Sequence, residues 1–240
     1  MVKEELIARS PLRVFETSIH GGLGKGNLGV LTSRKGVGKT ACLVHIATDK
    51  LLRDHHVIHV SFSQNVDHVL SWYEDIFEEI SRIKHLEHAR DVHDEIVRNR
   101  VIMNFSQKDV AIDQIISSLR AMIVDGGFKA DAVMFDGYRL SDDNCEDLGR
   151  IRDFAQEMDL EVWFSVSALS EDVPYDEFGV SAPVKELCSY IDVLIGLTFV
   201  DDHVALTLVK DQGEEVQKHM SLKLDPKSLL IMREDEPLQT

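Results

Sequence analysis

Leu28-Gly29-Val30-Leu31-Thr32-Ser33-Arg34-Lys35-Gly36-Val37-Gly38-Lys39-Thr40 carries an apolar strand into a glycine-rich turn, then lysine and threonine, then an amphipathic helix. Gly36 and Gly38 allow a tight backbone turn in which successive N–H groups face one anion, and Lys39 adds a positive charge on a long stem. Thr40 offers a hydroxyl to a magnesium ion. The helix expected from Lys39 to about Leu52 directs its positive end at the same point. The stretch therefore reads as a phosphate-binding loop of the pattern G-x-x-x-x-G-K-[ST], with Ser33 standing at its first glycine. Ser33, Arg34, Lys35, Gly36, Val37, Gly38, Lys39, Thr40 and Ala41 are the candidate nucleotide contacts.

Working outward, apolar runs alternate with helical patterns in the way that requires a parallel sheet with helical crossovers. His56–Phe62, Val101–Phe105, Ala130–Asp136 and Leu160–Ser167 read as further strands. Between them lie a helix from about Val66 to Ile83 capped by Asn65, one opened by a Ser106/Asp109 capping box and ending at Gly126-Gly127, and one capped by Ser141. Asp136 closes a buried strand, where open α/β sheets place ligand groups. Paired with Thr40, it is the candidate second metal-binding residue. The fifth strand ends in the hydroxyls of Ser165 and Ser167, which fits either a phosphate neighbourhood or ordinary strand-end polarity.

Composition narrows the class. The chain has 240 residues, 44% of them hydrophobic, enough for one α/β domain over 1–240. No apolar run approaches ~18 residues and the N-terminus lacks a signal-peptide core, so a cytoplasmic protein without a membrane span is expected. The formal charge of −16 disfavours nucleic acid as a partner. Cys42, Cys145 and Cys188 are far apart and read as free thiols. His85, His88 and His93 lie in a polar, charged stretch that reads better as a solvated helix than as a metal site.

With these residues in view, the chain resembles the RecA-like P-loop ATPases, in the branch that includes KaiC and RadA. The resemblance rests on Gly21-Gly22-Leu23-Gly24-Lys25-Gly26, the Gly36–Thr40 loop, the strand of Asp136 and a β-rich tail of Ile191–Leu197, His203–Lys210 and Ser221–Ile231. It implies a three-layer fold whose central, mostly parallel sheet is extended by C-terminal antiparallel hairpins. ATP with Mg²⁺ and a homo-oligomer, often a ring, are implied with it. Residues 1–20 are expected as an extended arm, loosely ordered or packed on a neighbouring subunit.

Two departures from the family bear on activity. Where the family carries glutamates after the second strand, one of them activating the attacking water, this chain has Ser63 and Gln64. Neither accepts a proton at neutral pH, and losing a general base costs about 10²–10⁴ in rate. Gln64 retains an amide able to orient water. The family's Lys-x-Arg pair, which reaches a neighbour's nucleotide, is here Lys210-Asp211-Gln212, so Lys210 alone remains for that role. Lys39, Gln64 and Lys210 are thus the candidate catalytic residues. The expected function is nucleotide binding with weak or absent hydrolysis, in a regulatory or scaffolding role with a protein partner. The alternatives are an active Mg-dependent ATPase working in a ring and, less favoured, a DNA-binding recombinase-type ATPase.

Overall fold

Among the described residues nine strands hydrogen-bond into one sheet, in the order β3-β2-β4-β5-β1-β6-β7-β8-β9. The computed structural model describes residues 1–62, 66–106, 110–138, 145–167 and 173–238. The parallel part consists of β1 (Leu28–Thr32), β2 (Val57–Ser61), β3 (Arg100–Asn104), β4 (Ala132–Asp136), β5 (Glu161–Val166) and β6 (Val193–Val200). Then β7 (His203–Asp211), β8 (Glu214–Leu224) and β9 (Ile231–Arg233) extend it antiparallel. The fold is α/β, a largely parallel sheet with antiparallel C-terminal strands.

Every residue of β1, β2 and β4 is buried, which is why these strands are apolar runs rather than alternating patterns. Successive side chains go to opposite faces and feed two separate cores. Leu31, Met134 and Trp163 pack with α3 (Lys39–Leu52), α4 (Val66–Lys84) and α5 (Ala89–Arg98). On the other face, Val30, Val60, Phe135 and Phe164 pack with α6 (Ile112–Arg120) and α7 (Cys145–Met158). Helices thus cover both faces, as the parallel crossovers require.

The first twenty residues are not an extended arm. They form α1 (Lys3–Arg9) and α2 (Leu12–Ser18), which dock on the chain's own core through buried Leu6, Leu12, Phe15 and Ile19. Phe15 lies 5.7 Å, centroid to centroid, from the Trp163 ring. Apolar spacing too short to read as a helix in isolation is enough once a core is present to receive it.

Three boundaries also differ. The helix expected to open near Ser106 starts at Ile112, because Ala111 is extended (ψ 150°) and Gln114 Oε1 accepts its N–H at 3.3 Å; Asp109 lies outside the described residues, as do Asn65 and Ser141. The last turn of that helix widens into a π turn over Ala121–Asp125 before Gly127. In the tail, Ser221–Ile231 is not one strand. Asp225 Oδ1 accepts the Lys227 N–H at 3.0 Å and its Oδ2 the Ser228 hydroxyl at 2.8 Å, and Pro226 has no N–H for a ladder, so the chain turns between β8 and β9. A turn at Asp201-Asp202 joins β6 to β7, with Asp201 at φ 51°.

Candidate functional site

The carboxyl ends of β1, β4 and β5 lie side by side, with Asp136 opposite Ser165 and Thr32 opposite Val166 in the register. From Thr32 the chain enters the loop Ser33–Gly38, where Gly36 (φ 85°) and Gly38 (φ 119°) take conformations that side chains disfavour. Gly38 is the N-cap of α3, and among the described residues no side chain caps that end. The first-turn N–H groups, which have no acceptor within a helix, therefore point out at the loop with the positive end of the helix behind them.

Lys39 is folded into this loop at 8% exposure. Its Nζ donates to Ser33 O at 3.1 Å, Ser33 Oγ at 3.0 Å and Arg34 O at 2.8 Å. Burial pushes its pKa down to about 8, and the charge of Asp136 opposes that shift. Even so, the ammonium is the charged form at neutral pH. Burial also pushes the Cys42 thiol, one turn into the helix, up to about 12, so it is inert there.

Thr40 and Asp136, about a hundred residues apart in the chain, meet across this end of the sheet. Thr40 Oγ1 donates to Asp136 Oδ1 at 3.0 Å and lies 3.3 Å from Oδ2. A hydroxyl and a carboxylate so placed are hard oxygen donors of the kind that suit a magnesium ion. Ser165 Oγ donates to the same Oδ1 at 2.5 Å and accepts the Gly137 N–H at 2.9 Å.

A cavity of about 500 Å³ opens above these groups, with Lys35–Ala41 along its floor. Asp136, Gly137, Ser165 and Ser167 form one wall. The opposite walls are apolar or aromatic: His68 and Trp72 come from α4, and Phe199, Val204, Leu224, Pro226 and Leu229 from the C-terminal strands and their turns. Trp72 Nε1 donates to His68 Nδ1 at 3.1 Å, which pins the two rings together. Arg34 leaves the loop in another direction, its guanidinium 5.7 Å from the centre of the Tyr175 ring. Tyr175, from the segment between β5 and β6, therefore reaches the loop.

Beneath the site, His59 is fully buried on β2. Its Nδ1 lies 3.0 Å from the Tyr73 hydroxyl, and burial holds its pKa well below the usual histidine value. The Arg100 guanidinium caps the other side of Tyr73 at 4.2 Å. Nothing in the local sequence signals this cluster, because its members come from two strands and a helix.

Of the residues singled out in the sequence, the fold brings together Ser33–Ala41, Asp136, Ser165 and Ser167. Ser63 and Gln64 lie outside the described residues. Lys210 is not part of the cluster: it is buried on β7, opposite Leu194 and Glu215. Val204, six residues earlier on that strand, lines the cavity, which puts Lys210 roughly 20 Å farther along. His93 of the polar histidine stretch lies 2.5 Å from Glu74 Oε2. No helix among the described residues is long and apolar enough to cross a membrane. Compared with known proteins, the chain matches no family model, and no curated protein is significantly similar to it.

Proposed function

We propose that this chain is a nucleotide-binding protein of the RecA/KaiC-like P-loop type, taking ATP with Mg²⁺ and hydrolysing it weakly or not at all. The observation that carries the reading is the convergence of Gly36–Thr40 with Asp136 at the carboxyl edge of a parallel sheet. A phosphate in the loop would meet backbone N–H groups, the start of α3 and the Lys39 ammonium. Bound Mg²⁺ would supply charge neutralisation to the phosphates, held by Thr40 and Asp136. The order of parallel strands followed by antiparallel ones supports the family resemblance, and a cavity of about 500 Å³ has room for a nucleoside phosphate.

Weak turnover rests on Ser63 and Gln64 standing where the family has its glutamates. The distance of Lys210 from the loop within one chain leaves it no role on that chain's own nucleotide. A regulatory or scaffolding protein, in which nucleotide occupancy biases assembly with further copies or a protein partner, accommodates both features. Calorimetry with ATP and Mg²⁺, run beside a phosphate-release assay on wild type and Lys39→Ala, tests the reading. Micromolar binding that the substitution abolishes, without phosphate release, is expected. Lysine-dependent release would make the protein a working ATPase, and absence of binding by the wild type would refute the proposal.

A further inference from the structure

Resting on the Mg²⁺-nucleotide reading, we infer that Ser165 is a positioning residue that fixes the Asp136 carboxylate and thereby sets how strongly the metal contributes to nucleotide binding. Both side chains are buried, Ser165 at 2% and Asp136 at 7% exposure. A hydroxyl has one proton to give. The Gly137 N–H, pointing at Ser165 Oγ from 2.9 Å, occupies a lone pair and leaves that proton for Asp136 Oδ1 at 2.5 Å. The direction of donation is therefore set by the backbone.

Thr40 donates to the same oxygen at 3.0 Å. Two donors on Oδ1 fix the rotation of the carboxylate plane, with Oδ2 a little farther from Thr40 Oγ1, at 3.3 Å. Strand register makes the arrangement rigid: Asp136 and Ser165 are directly paired on β4 and β5, and both strands are buried. Groups that orient a metal-binding carboxylate without touching the metal commonly change affinity 10–100-fold when removed.

The test is ATP affinity, by calorimetry, in excess Mg²⁺ and in EDTA for wild type, Ser165→Ala, Ser165→Thr, Asp136→Asn and the Ser165→Ala/Asp136→Asn double variant, each first checked by thermal melting. Ser165→Ala is expected to weaken binding about tenfold in Mg²⁺ and to leave the EDTA value unchanged. Ser165→Thr, which keeps the hydroxyl, restores most of the loss. In the Asp136→Asn background the serine substitution has little further effect. Equal losses with and without Mg²⁺, full additivity in the double variant, or no loss in Mg²⁺ would each overturn the inference while leaving wild-type nucleotide binding intact. Absence of ATP binding by the wild type in both conditions would instead refute the nucleotide reading, and this inference with it.

Discussion

Alanine at Gly38 is expected to destabilise the fold by clearly more than alanine at Gly36, although both glycines have positive φ. At each position a Cβ must be held in a disfavoured conformation, φ 85° at Gly36 and φ 119° at Gly38, which costs about 1–3 kcal/mol. The surroundings then separate them. Among the described residues a Cβ at Gly36 meets nothing within 4 Å, whereas at Gly38 it arrives 2.3 Å from Leu224 Cδ2. Leu224 is 1% exposed and packed in the core, so its methyl group must shift to admit the Cβ, and overpacking adds about 1–3 kcal/mol. The difference between the variants is therefore about 2 kcal/mol. In urea, with a slope of about 2 kcal/mol per molar, the midpoint of Gly38→Ala falls about 1 M below that of Gly36→Ala. Adding Leu224→Ala to Gly38→Ala should recover part of that loss, a non-additivity that marks direct contact. Equal midpoints for the two single variants, or strict additivity with Leu224→Ala, would refute the argument that β8 closes against the loop.

Acid should destabilise the protein between about pH 6.5 and 4, because burial pushes His45 down to about 4 and shifts His59 in the same direction. A folded-state pKa below the unfolded one means stability is present above about 6.5 and is lost as pH falls, about 3 kcal/mol for His45. His45→Asn, which retains an acceptor for the Ile231 N–H that now reaches Nδ1 at 2.9 Å, should flatten that part of a stability-versus-pH curve; an unchanged slope would exclude His45 as a source. Ser33→Gly removes one of three acceptors holding Lys39 in the loop, worth about 1.5 kcal/mol for a charged donor, so Mg-ATP should bind roughly tenfold tighter by calorimetry. Weaker or equal binding would show that the serine does not compete for the lysine. Deleting residues 1–20 strips Leu12, Phe15 and Ile19 from the core, a loss of at least about 5 kcal/mol, so the truncated chain should give little soluble protein and no cooperative melt. A melting temperature near that of the full chain would contradict the docking of α1 and α2.

The phosphate-loop reading was available from Leu28–Thr40 alone because its determinants are local. Glycine is needed where φ is positive, a strand must precede the turn and a helix must follow it, and all three requirements fall within a dozen consecutive residues. The strands around it were legible for a related reason. A strand buried on both faces needs an apolar side chain at nearly every position, so Ala132–Phe135 and Val57–Val60 announce themselves. Asp136 stood out as the charge that ends such a run.

Distance along the chain hid the rest. That α2 docks on Trp163, that Leu224 closes against Gly38, and that Trp72 and Leu229 line one cavity depend on pairing between segments far apart in sequence. No spacing rule encodes those pairings. Lys210 illustrates the limit from the other side: the motif position suggests a role at a neighbouring subunit's nucleotide, and within one chain the antiparallel run of β7 places that lysine away from the loop. The sequence by itself determined which residues form the loop and the strands, since steric freedom and burial act residue by residue. Only the tertiary structure decided that Ser165 holds Asp136 and that Asp136 meets Thr40, because hydrogen bonds of about 3 Å between different elements exist only after the sheet has set its register.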